Sequence, residues 1–525
     1  MNLKINLENF SYECNAEYLI KNNDFIFATD CYKAYKTIDP SKTNSFASEA
    51  LKANASFMVI YPHKKVLLVF VDPLGLETLY YNIENNNIFI SSNCLDVFKL
   101  ADSLEHSINE KYIGVYLTGV TDNLRNPFPN QTIFTKINQI EYGSYLKIET
   151  KKILITKYWN GSILNHNSNG INLVSCNEYK ENIINIIKND IVDNTVEGNI
   201  ASLLSGGLDS TCIVGILNDL FESNKLHTIS LVYPKDKAAD ESSIILDVIN
   251  RFKLANFHFI NADIYNSLDN LNMNQVSFSV DMDWFYKQYY EISKLVRKCN
   301  CRTLYDGLGG DELFGINYSK SFFSVECPDY ITKDFLYDTG FLDEIYNKEI
   351  EREILVEKYK NIDYKRLCVI LKGIEPRYIQ YRKSVYCDGK FNWNYPFLNP
   401  SLIEYVISNY SDENSNEGYK YILKKIFPNY ISDNQYNNRI GGDYSLPIIN
   451  GFKNNINLIS DLIYNGILIK KGIVSKKKIN SSLNLMKKDF DLWFKLNNYF
   501  TGIDLIWNYI TYEIWYKKVV AEMNW

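Results

Sequence analysis

The chain has 525 residues, of which 46% are hydrophobic, 14% aromatic and 22% charged, and its formal net charge is −6. This length predicts two or three domains with a sizeable core, and the composition excludes disorder of the whole chain. The slight negative charge provides no overall basic field for binding nucleic acid.

The amino terminus, MNLKINLENFSYEC, lacks the apolar stretch of a signal peptide, and no apolar run reaches about 18 residues, so we expect no membrane insertion. Ten cysteines include no CxxC pair, which disfavours a zinc ribbon, and a chain of this size suggests no disulfide framework. We expect a reduced, soluble, cytoplasmic protein. The five histidines are isolated in sequence, show no metal-ligand spacing and are expected at loop or core positions; they are His63, His106, His166, His227 and His258.

The first part of the chain is predicted to be β-rich. Short apolar runs separated by turns are typical of strands, and they occupy residues 56–61, 66–71, 78–81, 88–91, 140–147 and 153–159. A polar segment rich in Gly, Asn and Ser follows at 160–172 and predicts a linker. We therefore assign residues 1–160 to a first domain, 161–175 to a linker and 176–525 to a second domain.

The second domain begins with alternating strands and helices. Strands are predicted at 200–204, 228–233, 257–260 and 303–305, and helices at 211–221, 241–252 and 284–296. This order predicts an open, doubly wound parallel sheet with helices on both faces. Beyond about residue 320 the chain is predicted to be mostly helical.

The segment LLSGGLDST (203–211) follows a predicted strand and opens a predicted helix. Gly206 and Gly207 let the backbone approach an anion, and Ser205 and Ser210 add hydroxyl groups. A helix amino terminus favours bound phosphate, and Asp209 fits this site if a divalent cation bridges it to phosphate oxygens. The alternative is a plain strand–turn–helix junction with capping residues. The full set of predicted phosphate-loop residues is Leu203, Ser205, Gly206, Gly207, Leu208, Asp209 and Ser210.

A second glycine turn, YDGLGGDELFG (305–315), follows a later predicted strand and leads into the acidic pair Asp311 and Glu312. Because adjacent carboxyl ends of parallel strands converge on one crevice, we expect Asp209 and Asp311 to share one Mg²⁺. Three glycines of this turn, Gly307, Gly309 and Gly310, are predicted to line the same nucleotide site. Considered alone, the segment would be a helix start with acidic residues.

These segments carry a family resemblance. SGGLDS resembles the pyrophosphate loop of ATP-cleaving enzymes that adenylate a carbonyl, such as asparagine synthetase, GMP synthetase and tRNA-modifying ligases. The second turn resembles the SGxGxDELFGG motif of asparagine synthetases. DPLGLETLYY (72–81) is similar to DPLGxxPLYY in the amidotransferase half of that family, and YPFLNPSLIE (395–404) is similar to VPFLDxxLVE. The four matches occur in family order.

The resemblance implies an Ntn-hydrolase-like β-sandwich domain followed by a pyrophosphate-loop synthetase domain of the adenine nucleotide α-hydrolase type, with a helical C-terminal part. It implies ATP and Mg²⁺ as cofactors. Leu231 and Val232, at the end of the second predicted strand, would flank adenine through backbone groups; the alternative is a plain core strand.

Departures from the family pattern narrow the function. Glutamine-dependent members need a cysteine at position 2, and this chain has Asn2, so the first domain is expected to keep its fold without glutaminase activity. β-Lactam synthetases have a Tyr at the position of Leu308, which cannot take a proton. The segment GKFNWNYPFL (389–398) resembles lasso peptide cyclases, and Asn392 and Asn394 lie near the point where asparagine synthetases have an acid.

The chain is thus most like a lasso peptide cyclase, an AMP-forming carbon–nitrogen ligase. This resemblance implies closure of a macrolactam between the α-amine and an Asp or Glu side chain of a precursor peptide, as in antibiotic biosynthesis. A leader-binding protein and a leader peptidase would be partners.

Two further residues are candidates for catalysis. The family has a Lys near the adenylate, and the matching stretch 438–442 puts Arg439 there; an Arg stabilises phosphate charge but cannot donate a proton. Glu375 is a candidate base. The alternatives are a solvated Arg and a salt-bridging Glu. Two other functions stay open: an ammonia- or amine-dependent amidoligase acting on a small acid or sugar acid, and a non-catalytic nucleotide-binding scaffold.

Overall fold

A computed structural model gives the structure of the protein. It describes residues 1–42, 46–101, 107–117, 129–149, 152–159, 176–269, 271, 280–315, 367, 370, 374, 376–387, 389–409, 420–437, 444–497 and 500–523. The predicted linker lies outside the described residues. The described chain is a mixed α/β structure with three sheets and a helical C-terminal part.

The first two sheets are antiparallel. Their strands are β1 (Asn2–Asn6), β2 (Tyr12–Asn15), β3 (Tyr18–Lys21), β4 (Ile26–Thr29), β5 (Phe57–Tyr61), β6 (Val66–Phe70), β7 (Tyr80–Glu84), β8 (Asn87–Ser91), β9 (Asn138–Gln139), β10 (Ser144–Glu149) and β11 (Lys152–Lys157). One sheet has the order β2-β1-β8-β7-β9 and the other β11-β10-β6-β5-β4-β3. Inward residues of both sheets share one hydrophobic core, for example Ile5 and Ile90 with Met58 and Val69. The two sheets therefore form the predicted sandwich.

The strand predicted at 78–81 begins two residues later than expected, at Tyr80. The cause is Asp72, whose carboxylate accepts backbone N–H bonds from Leu74, Leu76 and Glu77 and holds this segment as a turn. Strands β1 to β4 were not predicted. Strands β2 and β3 alternate half-buried and exposed residues and contain no fully buried residue.

The third sheet is parallel. Its strands are β12 (Asn199–Leu203), β13 (Leu226–Val232), β14 (Asn256–Asn261), β15 (Cys301–Tyr305) and β16 (Asn392–Asn394), in the order β14-β13-β12-β15-β16. The prediction of a parallel sheet from the first four strands is confirmed. Along the chain, β13 and β14 are added on one side of β12, and β15 and β16 are then added on its other side. The topological switch point, where ligands bind in open α/β sheets, therefore lies between β12 and β15.

Helices precede, connect and follow these strands. They are α1 (Tyr32–Thr37), α2 (Phe46–Ala53), α3 (Cys94–Ala101), α4 (Glu110–Leu117), α5 (Cys176–Asn194), α6 (Leu208–Leu220), α7 (Ser242–Phe252), α8 (Tyr286–Lys298), α9 (Pro376–Arg382), α10 (Pro400–Ser408), α11 (Tyr421–Ile426), α12 (Asp433–Asn437), α13 (Ser445–Asn454), α14 (Ile456–Tyr464), α15 (Ile467–Lys470), α16 (Lys476–Lys488), α17 (Phe490–Leu496) and α18 (Phe500–Met523). The helical C-terminal part is confirmed in the described residues, and its Trp493, Trp507 and Trp515 are buried in the core. None of the described helices has the length and apolar character needed to cross a membrane.

A buried ion pair joins the sandwich to the rest of the molecule. Lys33 of α1 donates from Nζ to Asp190 Oδ1 of α5 at 2.6 Å, with side chains 5% and 7% exposed. Asn399 Nδ2 donates to the same oxygen at 2.7 Å. Because both charges are desolvated, each needs the other.

Replacing Lys33 with Ala is expected to destabilise the protein by about 3–5 kcal/mol, since Asp190 would keep a buried charge without its cation. The measurement is denaturant or thermal unfolding. The matched control is Lys42→Ala, which removes a cation paired with Asp39 where the side chains are 70% and 44% exposed, and it should change stability by less than about 1 kcal/mol. Equal effects of the two substitutions would contradict this account.

Candidate functional site

Two glycine turns meet at the switch point of the parallel sheet. The first joins β12 to α6, with Gly206 at φ +83°, and the second follows β15, with Gly309 at φ +98°. A Cβ on Gly310 would lie 2.3 Å from Asp209 Oδ1, and a Cβ on Gly307 would lie 2.7 Å from the backbone nitrogen of Ser210. Only glycine permits this approach. The structure thus brings together the two motifs that the sequence singled out.

A buried lysine links the two aspartates. Lys420 Nζ contacts Asp209 Oδ2 and lies 2.9 Å from Asp311 Oδ1, and its side chain is 4% exposed. Lys420 sits immediately before α11 in the left-handed region, at φ +55°. An ammonium group therefore occupies the point where Asp209 and Asp311 converge. Lys420 was not predicted from the sequence. The family's lysine near the adenylate was assigned to the stretch around Arg439, and no motif marks position 420.

Hydroxyl groups shape the first glycine turn. Ser210 Oγ donates to the Gly207 carbonyl at 3.1 Å and accepts from the backbone N–H of Ser205 at 3.2 Å. The Ser205 hydroxyl accepts from the Gly207 N–H at 3.2 Å. Gly207 is the N-cap of α6 and provides no side-chain cap, so the first turn of this helix presents N–H groups that an anion can satisfy.

The helical C-terminal part supports this turn from behind. Gln435, on α12, donates from Nε2 to the Gly206 carbonyl and to the Thr211 hydroxyl, both at 2.8 Å. Arg251 of α7 donates to Gln435 Oε1 at 2.9 Å. Gln435 is 2% exposed, so the support is a buried network. No sequence signal pointed to it.

The end of β13 opens on the same side of the sheet. Leu231 and Val232 are half-buried there. The following residue, Tyr233, lies with its ring 5.4 Å from that of Tyr444. The Tyr444 hydroxyl donates to Glu241 Oε2 at 2.5 Å, and burial raises the pKa of Glu241. Glu241 is the N-cap residue of α7, but its side chain makes no capping bond.

The crevice favours cations. Burial raises the pKa of Glu312, and the neighbouring charges of Asp311 and Asp209 raise it further. Burial also raises the pKa of Asp306, an effect that Arg382 partly offsets. Several carboxyl groups that gain from an added positive charge thus surround the second glycine turn. Glu375 and Arg439, the two candidates for catalysis, lie outside the described residues.

A cavity of about 770 Å³ separates the sandwich from the edge of the parallel sheet. Met1, Asp30 and Glu77 line it on the sandwich side, and Lys383 and Asn394 line it on the other side. Its volume is within the range of about 300–1,000 Å³ found for small-molecule sites. The cavity reaches the carboxyl end of β16, next to the second glycine turn.

A sandwich and an open parallel sheet, with two glycine turns in contact at the switch point, define a mixed α/β protein with a candidate nucleotide site. Residues 195–352 match the family described as asparagine synthase, and residues 44–159 match the glutamine amidotransferase domain. One part of each half of the chain thus matches a family model, and the half that carries the two glycine turns is similar to asparagine synthase.

One curated relative is "Putative asparagine synthetase (glutamine-hydrolyzing) 2" of Methanocaldococcus jannaschii. It is 24% identical over 263 residues, which are 50% of this chain and 48% of that protein. The chain therefore spans about half the length of this relative.

Two solved structures were compared with the chain at low similarity. One is described as the allosteric regulatory enzyme of purine biosynthesis; it is 8% identical, covers 56% of this chain and 72% of its own, and has a TM-score of 0.18. The other is glutamine phosphoribosylpyrophosphate amidotransferase from B. subtilis with ADP and GMP; it is 9% identical, covers 55% and 72%, and has a TM-score of 0.16. Scores this low carry no argument about the fold.

Gly310→Ala is expected to weaken binding of Mg²⁺–ATP by about tenfold or more, because the new methyl group would displace the Asp209 carboxylate. Titration with a fluorescent ATP analogue measures this. The matched control is Gly472→Ala, where nothing lies within 4 Å of the added carbon. Its φ of +71° strains an alanine and lowers stability, but nucleotide binding by the folded variant should stay unchanged. Equal binding by Gly310→Ala and the unmodified protein would contradict the contact.

Proposed function

We propose that the protein is an ATP-dependent carbon–nitrogen ligase that activates a carboxylic acid as an acyl-adenylate and transfers the acyl group to an amine. The observation that carries the proposal is the convergence of Asp209 and Asp311 on Lys420 at the carboxyl edge of the parallel sheet. The two carboxylates come from different glycine turns, and both turns lie within residues 195–352, which match asparagine synthase.

The residues present fit Mg²⁺–ATP. Two carboxylates that already meet one cationic group offer the oxygen ligands that Mg²⁺ prefers, so Asp209 and Asp311 would hold the ion. The bound ion would supply neutralisation of phosphate charge. Ser205, Ser210 and the N–H groups of Gly206 and Gly207 would bind the phosphates. Leu231 and Val232 would flank adenine.

The chemistry has two steps. A substrate carboxylate oxygen attacks the α-phosphorus of ATP, the bond to the bridging oxygen breaks, and pyrophosphate leaves with that electron pair. The amine then attacks the acyl carbon, AMP leaves, and the amine loses its proton. Lys420 lies where its positive charge would stabilise the departing pyrophosphate or the adenylate. Arg439 would stabilise adenylate charge and Glu375 would take the proton.

The finer proposal is macrolactam closure of a ribosomally made precursor peptide. Leu308, in the position of the β-lactam synthetase tyrosine, packs against the hydrophobic core and offers no base. Asn392 and Asn394 put neutral side chains on β16 beside the 770 Å³ cavity. A peptide held there would bring its amine to its own acyl group at high effective concentration, so a strong base is not required. The precursor would come with a leader-binding protein and a leader peptidase.

We also propose that glutamine is not the source of the amine. Asn2 Oδ1 accepts a hydrogen bond from Ser91 Oγ at 2.6 Å and provides no nucleophile. Burial raises the pKa of both Cys14 and Cys31 to about 11, so neither thiol is appreciably ionised at neutral pH. The similarity to the putative asparagine synthetase of M. jannaschii favours a second candidate, an amidoligase acting on a small acid. With Asn2 in place of a nucleophile, its nitrogen would come from ammonia or another amine.

Asp209→Asn, Asp311→Asn and Lys420→Ala should each lower ATP–pyrophosphate exchange by about 100-fold or more, because each removes charge from the site of phosphate transfer. The matched control is Lys424→Ala, one turn further along α11, where the lysine pairs with a carboxylate that is 85% exposed. The control should retain exchange. Full exchange in Asp209→Asn and Asp311→Asn would exclude the proposed metal ligands.

The nature of the acid is decided by the substrate dependence of the same exchange reaction. Exchange that requires a precursor peptide with an Asp or Glu in its core supports macrolactam closure, and mass spectrometry should show loss of one water from that peptide. Exchange with a small acid plus ammonia, and none with peptides, supports the second candidate. No exchange with either would favour a non-catalytic scaffold.

Glutamine should release no glutamate above background when the protein is incubated with it, with or without ATP, because the described residues near Asn2 provide no ionised thiol. A coupled glutamate assay measures this, with a glutaminase as positive control. Glutamate release that an alkylating agent abolishes would overturn the proposal of a glutaminase-deficient domain.

A further inference from the structure

A cluster of nitrogen and sulfur ligands lies away from the glycine turns. His227 is the second residue of β13, His258 is the third residue of β14, and Cys299 directly follows α8. All three lie toward the amino-terminal ends of the parallel strands, whereas the glycine turns follow the carboxyl ends. The sequence predicted isolated histidines at loop or core positions. The structure instead puts two of them side by side on adjacent strands.

The three ligand atoms are close to one another. His227 Nδ1 is 3.1 Å from His258 Nε2, and His258 Nε2 is 3.6 Å from Cys299 Sγ. All three atoms lie within 4.8 Å of one another. The two imidazole rings are nearly parallel, with 9° between their planes. The ring nitrogens and the sulfur therefore converge on one point rather than on separate partners.

These separations match a zinc site. Zn²⁺ binds His nitrogen at about 2.0–2.1 Å and Cys sulfur at about 2.3 Å with tetrahedral angles. At those lengths two nitrogens lie about 3.3 Å apart, and a nitrogen and a sulfur lie about 3.5 Å apart. The observed 3.1 Å and 3.6 Å are close to these values, and the third pair, His227 Nδ1 and Cys299 Sγ, lies within 4.8 Å. Rotation of the side chains would bring this pair to about 3.5 Å around an ion. All three residues are half-buried, so an ion can reach them from solvent.

We propose that His227, His258 and Cys299 bind one Zn²⁺, with water as the fourth ligand. The two histidines bind as neutral imidazoles through the named nitrogens. Cys299 binds as a thiolate and gives its proton to solvent. Cys301, two residues later, is directed elsewhere: its thiol donates to the Cys299 carbonyl at an Sγ–O distance of 3.8 Å.

Such an ion would act on the fold rather than on the phosphate chemistry. It would join two strands to the end of α8 across sequence separations of 31 and 41 residues. A ligand that binds only the folded chain shifts the unfolding equilibrium toward the native state, and a link across long loops removes freedom from the unfolded chain. The ion should therefore raise the unfolding temperature and leave ATP–pyrophosphate exchange unchanged.

The test uses the full chain with a purification tag that contains no histidine, stripped of metal with a chelator. Addition of Zn²⁺ followed by dialysis should leave about one ion per chain, measured by elemental analysis, and should raise the unfolding temperature. Co²⁺ should give the d–d bands of a tetrahedral site and a sulfur-to-cobalt charge-transfer band. His227→Ala and His258→Ala should each lose the ion, and Cys299→Ser should lose the charge-transfer band.

His63→Ala, which removes an exposed histidine of the sandwich, is the matched control and should bind as the unmodified protein does. Circular dichroism of the metal-free variants shows whether each one folds. If His258→Ala does not fold, the cobalt spectrum of Cys299→Ser still tests the site. Zinc retained equally by folded His227→Ala and His258→Ala would overturn the proposal. So would a stripped, folded protein that takes up no Zn²⁺, which would leave only a hydrogen bond between the two imidazoles.

Discussion

The candidate site depends on one electrostatic constraint, the meeting of two like-charged carboxylates in one crevice. Lys420 relieves this repulsion by contacting both Asp209 and Asp311 from a buried position. The contact is possible only because Gly307 and Gly310 have no side chains, which lets the second glycine turn pack directly on the start of α6. Three segments that are distant in sequence thus place the Lys420 ammonium between the two carboxylates. The proposed reaction of ATP takes place around this group.

The same principle, that a buried charge requires a partner, organises the contact between the sandwich and the rest of the molecule. Asp190 accepts from both Lys33 and Asn399, which belong to different parts of the chain. Glu77, at the end of the Asp72 turn, lies 3.4 Å from Lys383, and this ion pair forms part of the wall of the 770 Å³ cavity. The sandwich therefore supplies walls and charges to a cavity beside the parallel sheet, a role that it can fill without a nucleophile of its own.

Local periodicity was sufficient to predict much of the fold. Strands β12 to β15 and helices α6 to α8 have apolar patterns that are visible within a short stretch of sequence. Because strands and helices alternate along the chain, the strands are expected to be parallel. Strand β16 was not predicted, because its three residues are a strand only through pairing with β15. The half-exposed strands β2 and β3 were missed for a similar reason: their stability comes from neighbouring strands and not from their own residues.

Taken alone, the amino-acid sequence determined the two glycine motifs, the acidic residues that follow them and the order of strands that brings both to one edge of a sheet. These are local patterns, and the rules of chain connection extend them. The tertiary structure alone decided that Lys420 is the cation between Asp209 and Asp311, that Gln435 supports the first turn, and that His227, His258 and Cys299 converge. Contacts between residues so far apart in sequence depend on how whole helices and strands pack together. The spacing of residues along the chain does not reveal this packing.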